Sequence, residues 1–336
     1  MMKCCVPLLL AIFLISCAPV ANTTSVTPIP TNKSLVGKEN TSLTITAPTN
    51  TGHEFIGKIL IYRLDGIYIG NWDGGNPILI HAFTSPLSMM SLSPDGSNLA
   101  YFQDNYLYVQ DIYTGKAKAI NQEIIGSPGG QLRWSPDVKE IALACSTPNE
   151  PASSICLVTI EGGKVKIMVS QKDIKEQRHP FYFIELQDWS RDGSTIVFIY
   201  YTPSEKGQKQ DFSIYLYDLS SKTTRMILDG KMQNAIVQIR SVAISPDNKM
   251  LLISGIDANS LFQVFRLNIE AGNLTQITQV TNSSFTAPVW GYDSCHFYIH
   301  IEQDTPSFRE NTAILYADGT FFLPLDIKGI VIQWIK

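Results

Sequence analysis

Five aspartates occupy matching places in five similar segments. They are Asp95 in LSPDGSNLAYF (92–102), Asp137 in WSPDVKEIALA (134–144), Asp192 in WSRDGSTIVFI (189–199), Asp247 in ISPDNKMLLIS (244–254) and Asp293 in WGYDSCHFYIH (290–300). Brought together, carboxylates can do acid–base chemistry or hold a metal. Ser-Pro-Asp-Gly is also a favoured tight-turn sequence, in which Pro sets φ and the Asp side chain takes nearby backbone N–H groups, and the regular recurrence favours this structural role. His296 and His300 sit four apart in HFYIH. On a strand they share a face but stand about 13 Å apart, too far to chelate one ion. The H-E-x-x-H, G-x-S-x-G, G-x-G-x-x-G and Walker spacings are absent, so zinc hydrolysis, serine hydrolysis and nucleotide binding have no local support. The sequence therefore assigns no catalytic residue, no metal ligand and no cofactor.

The remaining reactive residues are cysteines. Residues 1–17, MMKCCVPLLLAIFLISC, carry one Lys and then an apolar run too short to span a bilayer, which needs about 20 residues. Its end, Leu14-Ile15-Ser16-Cys17, resembles the bacterial lipobox, which implies export, a signal peptide over 1–16 and a diacylglycerol on Cys17; the alternative is an ordinary signal or anchor helix with an incidental Cys. Residues 18–52 are rich in Thr, Asn, Pro and Ser with only Lys33, Lys38 and Glu39 charged, so 17–52 reads as a lipidated Cys and flexible tether. Cys145 and Cys156 flank STPNEPASS in what reads as a hairpin. They form either a cross-strand disulfide, which an exported compartment permits, or two buried thiols.

The elements that must position these residues repeat. Each of the five aspartate turns leads into an apolar strand, a connector, a second strand, and a Gly or Ser turn into a third, as in DIYTGKAKAI (111–120) and TIEGGKVKIM (159–168). The unit is four strands, a to d. A sixth unit begins at KILIYR without a strand a, and GIVIQWIK (329–336) at the far end supplies one, with Trp334 in the register of Trp134, Trp189 and Trp290. Closure divides 53–336 into six units of about 47 residues. The expected fold is all-β, a six-bladed β-propeller of four-stranded antiparallel blades with the ring closed by the C-terminal strand.

The a–b and c–d turns lie on one face of such a ring, and the b–c and d–a connections on the other. Length varies on the second face: 146–154, 170–187, 202–211 and 302–311. Insertions confined to one face mark it as the expected binding face. Its candidate contact residues are Arg178, His179, Phe181, Tyr182, Phe183, Lys206, Lys209 and Arg309. Phe181 and Phe183 belong either to an interface or to the packing between blades.

The W-S-x-D-G unit over 53–336 resembles the TolB-type β-propeller repeat, also found in the propeller domains of prolyl oligopeptidases and dipeptidyl peptidases. With 26 Lys and Arg against 30 Asp and Glu, a net charge of −4, the chain has no basic excess for nucleic acid. A hydrophobic share of 44% is enough for a large core. The expectation is a monomeric lipoprotein of the bacterial cell envelope, held outside the cytoplasm to a membrane by its N-terminal lipid. It binds a protein, peptide or glycan without catalysis. The rival is an envelope lyase, lactonase or glycosidase with its site on the b–c/d–a face.

Overall fold

Runs of β-branched and aromatic residues, punctuated by turns, build six sheets. A computed structural model describes residues 57–82, 89–103, 106–121, 130–147, 150–174, 182–203, 210–279, 283–285, 288–303, 309–320 and 322–335. Blade 1 consists of Ile330–Ile335, Lys58–Arg63, Gly66–Asn71 and Ile78–Ala82 as strands a to d. Blade 2 has Met89–Leu92, Asn98–Gln103, Tyr106–Asp111 and Ala117–Asn121; blade 3 has Arg133–Trp134, Glu140–Thr147, Glu150–Thr159 and Val165–Val169. Blade 4 has Phe183–Trp189, Thr195–Pro203, Gln210–Asp218 and Thr223–Asp229; blade 5 has Ile236–Ile244, Met250–Asp257, Phe262–Asn268 and Leu274–Gln276. Blade 6 places Ser283–Phe285 and Val289–Trp290 beside His296–Gln303, followed by Arg309–Tyr316 and Phe322–Leu325. All pairings within the blades are antiparallel, as the short turns require.

The C-terminal strand closes the ring: Ile59 pairs with Trp334 and Leu60 with Gln333, then a bulge shifts the register so that Ile61 faces Val331. Strands b and c are covered on both faces by neighbouring blades, so they are apolar without alternation. In blade 4, Ile196, Val197, Phe198, Ile199 and Tyr200 in succession have no exposed surface. The core is distributed accordingly, with one hydrophobic cluster between each pair of adjacent blades. The cluster closing the ring joins Ile59, Ile61, Val331 and Trp334 of blade 1 to Tyr298 and Ile314 of blade 6.

Three features differ from the sequence reading. The long segments of the b–c face are partly strand: Glu150 pairs with Thr147, Pro203 with Gln210 and Gln303 with Arg309, because the hairpin ladders continue past the apolar runs. Strand a of blade 6 comes in two pieces, the second preceded by Pro288, which has no N–H to give a ladder. Cys145 and Cys156 are joined by a disulfide, but diagonally. Cys145 lies opposite Ser154 and Cys156 opposite Leu143, with 5.9 Å between the Cα atoms, inside the range a disulfide spans.

Candidate functional site

The a–b turns share one construction. In blades 2 to 5, Ser93, Ser135, Ser190 and Ser245 each donate a hydroxyl hydrogen bond to the Asp two residues on. Each serine oxygen also accepts the N–H five residues on, from Asn98, Glu140, Thr195 and Met250. Blade 6 has Gly291 in place of Ser. There the Asp293 carboxylate accepts the Cys295 and His296 N–H groups and pairs with the His296 ring through Nδ1, so an imidazole takes the place of the missing hydroxyl. The five aspartates are thus spread round the ring, each engaged in its own turn, and not gathered into a cluster.

Two of the tryptophans next to these turns fasten blade to blade, while the Trp189 indole N–H donates to the Gly193 carbonyl of its own turn. Trp134 Nε1 donates to the Ser91 carbonyl of blade 2 at 2.9 Å, and Trp290 Nε1 to the Ala243 carbonyl of blade 5 at 3.0 Å. Gln333 binds both the N–H and the carbonyl of Leu92. Arg133 of blade 3 meets Asp188 of blade 4 at 2.8 Å. The other Asp188 oxygen accepts the Ile244 N–H of blade 5, at 2.9 Å. The inner strands are therefore held in place by side chains reaching to neighbouring backbones.

These inner strands surround a cavity of about 370 Å³ on the ring axis, to which every blade contributes. It opens at the ends of the a strands, on the a–b/c–d face, opposite the long connections. Trp134, Trp189, Trp290 and Trp334, each at most 8% exposed, form much of its wall, with Pro94, Pro136 and Pro288 beside them. Among the described residues, the charged ones that line it are Arg133, Asp188 and Arg191. The first two neutralise one another. Arg191 is open to solvent at the mouth, and its guanidinium lies 3.8 Å over the Tyr292 ring. Among the described residues it has no hydrogen bond and no ion pair. Burial by the surrounding walls lowers its pKa, an effect that Tyr292, Asp188 and Asp293 partly offset.

Towards the other end of the axis, Glu185 on strand a of blade 4 has its pKa raised by burial, against the opposing effect of a hydrogen bond from Tyr201. The Gln187 amide also donates to it, at 3.3 Å. Among the described residues no group of three or more His, Cys, Asp or Glu side chains is placed to hold a metal ion.

Of the residues singled out in the sequence for binding, Tyr182 stacks on Tyr200 with centroids 5.4 Å apart, and Phe183 on Tyr201 at 4.6 Å. Both belong to the packing between blades, Tyr182 on the blade 3–4 side and Phe183 on the blade 4–5 side. The Arg309 backbone starts strand c of blade 6. Cys17, Arg178, His179, Phe181, Lys206 and Lys209 lie outside the described residues. The sequence reading passed over Arg191 and Tyr292, although both replace the Pro of the repeated turn, a visible break in the pattern.

No family model matches the chain. Among solved structures, TolB from Acinetobacter baumannii is similar with a TM-score of 0.57 and 19% identity, over 82% of this chain and 65% of that one. The chain thus spans a little under two thirds of that protein's length. Putative TolB from Agrobacterium tumefaciens gives a TM-score of 0.58 and 15% identity, over 81% of this chain and 89% of the other. A chain of a nidogen/laminin complex gives 0.54 and 8%, over 83% and 97%. At these identities the likeness is one of fold: the chain is a six-bladed, TolB-like β-propeller.

Proposed function

We propose that this TolB-like propeller is the folded part of a bacterial envelope lipoprotein, anchored through a lipidated Cys17, and that it binds a protein or peptide partner without catalysis in the axial cavity. The observation that carries the reading is the convergence of all six blades on a cavity walled by tryptophan and proline. Concave, mostly apolar walls with a few placed polar groups are what ligand sites offer, and Trp and Arg anchors are what protein interfaces use. Acid–base chemistry needs a titratable side chain free to exchange its proton with substrate, most often His or a carboxyl group. Among the described residues that line the cavity there is no His, and the one carboxylate, Asp188, is committed to Arg133 and to the Ile244 N–H.

A photo-crosslinking residue at Pro94, an exposed position of the cavity lining, in intact cells, tests the proposal. A discrete partner captured at Pro94, and lost when Ala243→Trp fills the cavity, is the expected result. Capture from Leu64 in a b–c turn but not from Pro94 would overturn the assignment to the cavity. Cys17→Ser should abolish labelling by a fatty-acid analogue; labelling that persists would remove the lipid anchor from the reading.

Glu185 supports a second reading, an enzyme with its site towards the b–c/d–a face. Its pKa, which burial raises, suits a general acid. Turnover of a lactone, glycoside or uronate polymer, abolished by Glu185→Gln, would replace the first reading with this one.

A further inference from the structure

Resting on the reading of the axial cavity as a binding site, we infer that its ligand presents a carboxylate and that Arg191 is the residue that takes it. At the position after the turn Ser or Gly, blades 2, 3 and 5 carry Pro94, Pro136 and Pro246, whereas blades 4 and 6 carry Arg191 and Tyr292. Proline presets φ for this position, so each replacement gives up local rigidity. Breaks in a local rule concentrate at functional sites. Blades 4 and 6 are separated by blade 5, yet these two side chains meet, guanidinium over ring at 3.8 Å, at the mouth of the cavity.

The geometry leaves the guanidinium poised. The guanidinium carbon lies over the Tyr292 ring, and the five N–H donors, which lie in the guanidinium plane, are engaged by no described residue. An in-plane pair of such donors matches the two oxygens of a carboxylate, which a lysine ammonium does not reproduce. The other arginine of the cavity is committed to Asp188, and Asp293 to its own turn, so neither acid pairs with Arg191. A ligand seated against the tryptophan and proline walls would displace water from the fork, and a charge-assisted hydrogen bond gains strength as water is excluded. The same walls can take an apolar side chain next to the bound carboxylate. The ligand class is therefore a peptide segment in which a carboxylate adjoins an aromatic or aliphatic residue. The carboxylate comes either from an acidic side chain or from a chain terminus.

Two probes separate those sources. N-acetylphenylalanine offers a terminal carboxylate, and doubly blocked acetyl-Asp-Phe-amide a side-chain one; each has a neutral control, N-acetylphenylalaninamide and acetyl-Asn-Phe-amide. Calorimetric titration into the full chain should show at least one acid binding about tenfold more tightly than its control, with the preference shrinking as salt rises. Arg191→Gln should bind acid and control alike. Arg191→Lys should keep only part of the preference. Unchanged melting temperatures confirm that the variants are folded. The inference is overturned if the wild type shows no preference for either acid, including no binding at all, or if Arg191→Gln retains the preference. If Arg191→Gln still captures the same cellular partner from Pro94, the carboxylate inference falls and the partner-binding reading stands. If the wild type captures nothing from Pro94 while an acid probe binds, the reverse holds.

Discussion

A hydroxyl present or absent at one turn position decides how each blade satisfies its aspartate. Gly291 has no side chain because a Cβ there would lie 2.8 Å from the Trp334 indole, closer than side-chain atoms approach. Restoring the repeat with Gly291→Ser should therefore destabilise the domain by about 1–3 kcal/mol, as overpacking does, although the substitution returns the consensus residue. A thermal melt in which it gains stability would sink this account. Asp192 tests the same turn chemistry from the side of protons. Burial pushes its pKa up, but hydrogen bonds from the Ser194 N–H, Ser190, Asn248 and the Ser194 hydroxyl outweigh that and bring it to about 2. An ordinary Asp titrates near 3.9, so the stabilisation is complete above about pH 4 and is lost as pH falls through about 2. Asp192→Asn should flatten the fall in melting temperature across that window; parallel curves for the two proteins would count against it. The aspartate turns are readable from sequence because turn chemistry is local. The meeting of Arg191 with Tyr292 is not, since it spans an intervening blade.

The turns as elements impose a backbone requirement as well. The residue after the Asp has positive φ in all five: Gly96 at 72°, Val138 at 62°, Gly193 at 77°, Asn248 at 59° and Ser294 at 57°. Val138 is the β-branched member, the type least suited to this region. Val138→Asn should raise stability by about 1 kcal/mol, because relief at φ 62° outweighs the packing of a half-buried side chain. Denaturant unfolding of both proteins measures it, and a loss of stability would mean that Val138 contributes more through its contacts with the blade 2–3 core. Strand identity was legible here: the apolar runs of strands b and c are long and rich in β-branched and aromatic residues, so element type follows from composition. The ends of strands were less so. Pro203 pairs with Gln210 because the blade 4 hairpin twists on past its apolar run, and no residue type marks where that pairing stops.

For the whole molecule, stability depends on an end that is ordinarily dispensable. Deleting residues 329–336 removes the partner of Lys58–Arg63 and takes Trp334, 6% exposed, out of the blade 6–1 core, where losing such a side chain costs about 3–5 kcal/mol. The truncated protein should melt far lower or aggregate through the bared edge of blade 1, whereas deleting 18–45 should leave the melting temperature of the propeller unchanged. Equal melting temperatures would show that closure does not stabilise the ring in this way. The number of blades and the closing strand follow from the sequence alone, because each unit repeats its turn chemistry and its apolar periods within about 47 residues. The face that carries a cavity does not. Loop lengths drew attention to the b–c/d–a side because insertions there leave the stacked sheets undisturbed. A concavity depends instead on how far the inner strands stand from the axis and on which side chains meet there. That arrangement arises only when residues as distant as Leu92 and Gln333 are brought together by closure of the ring.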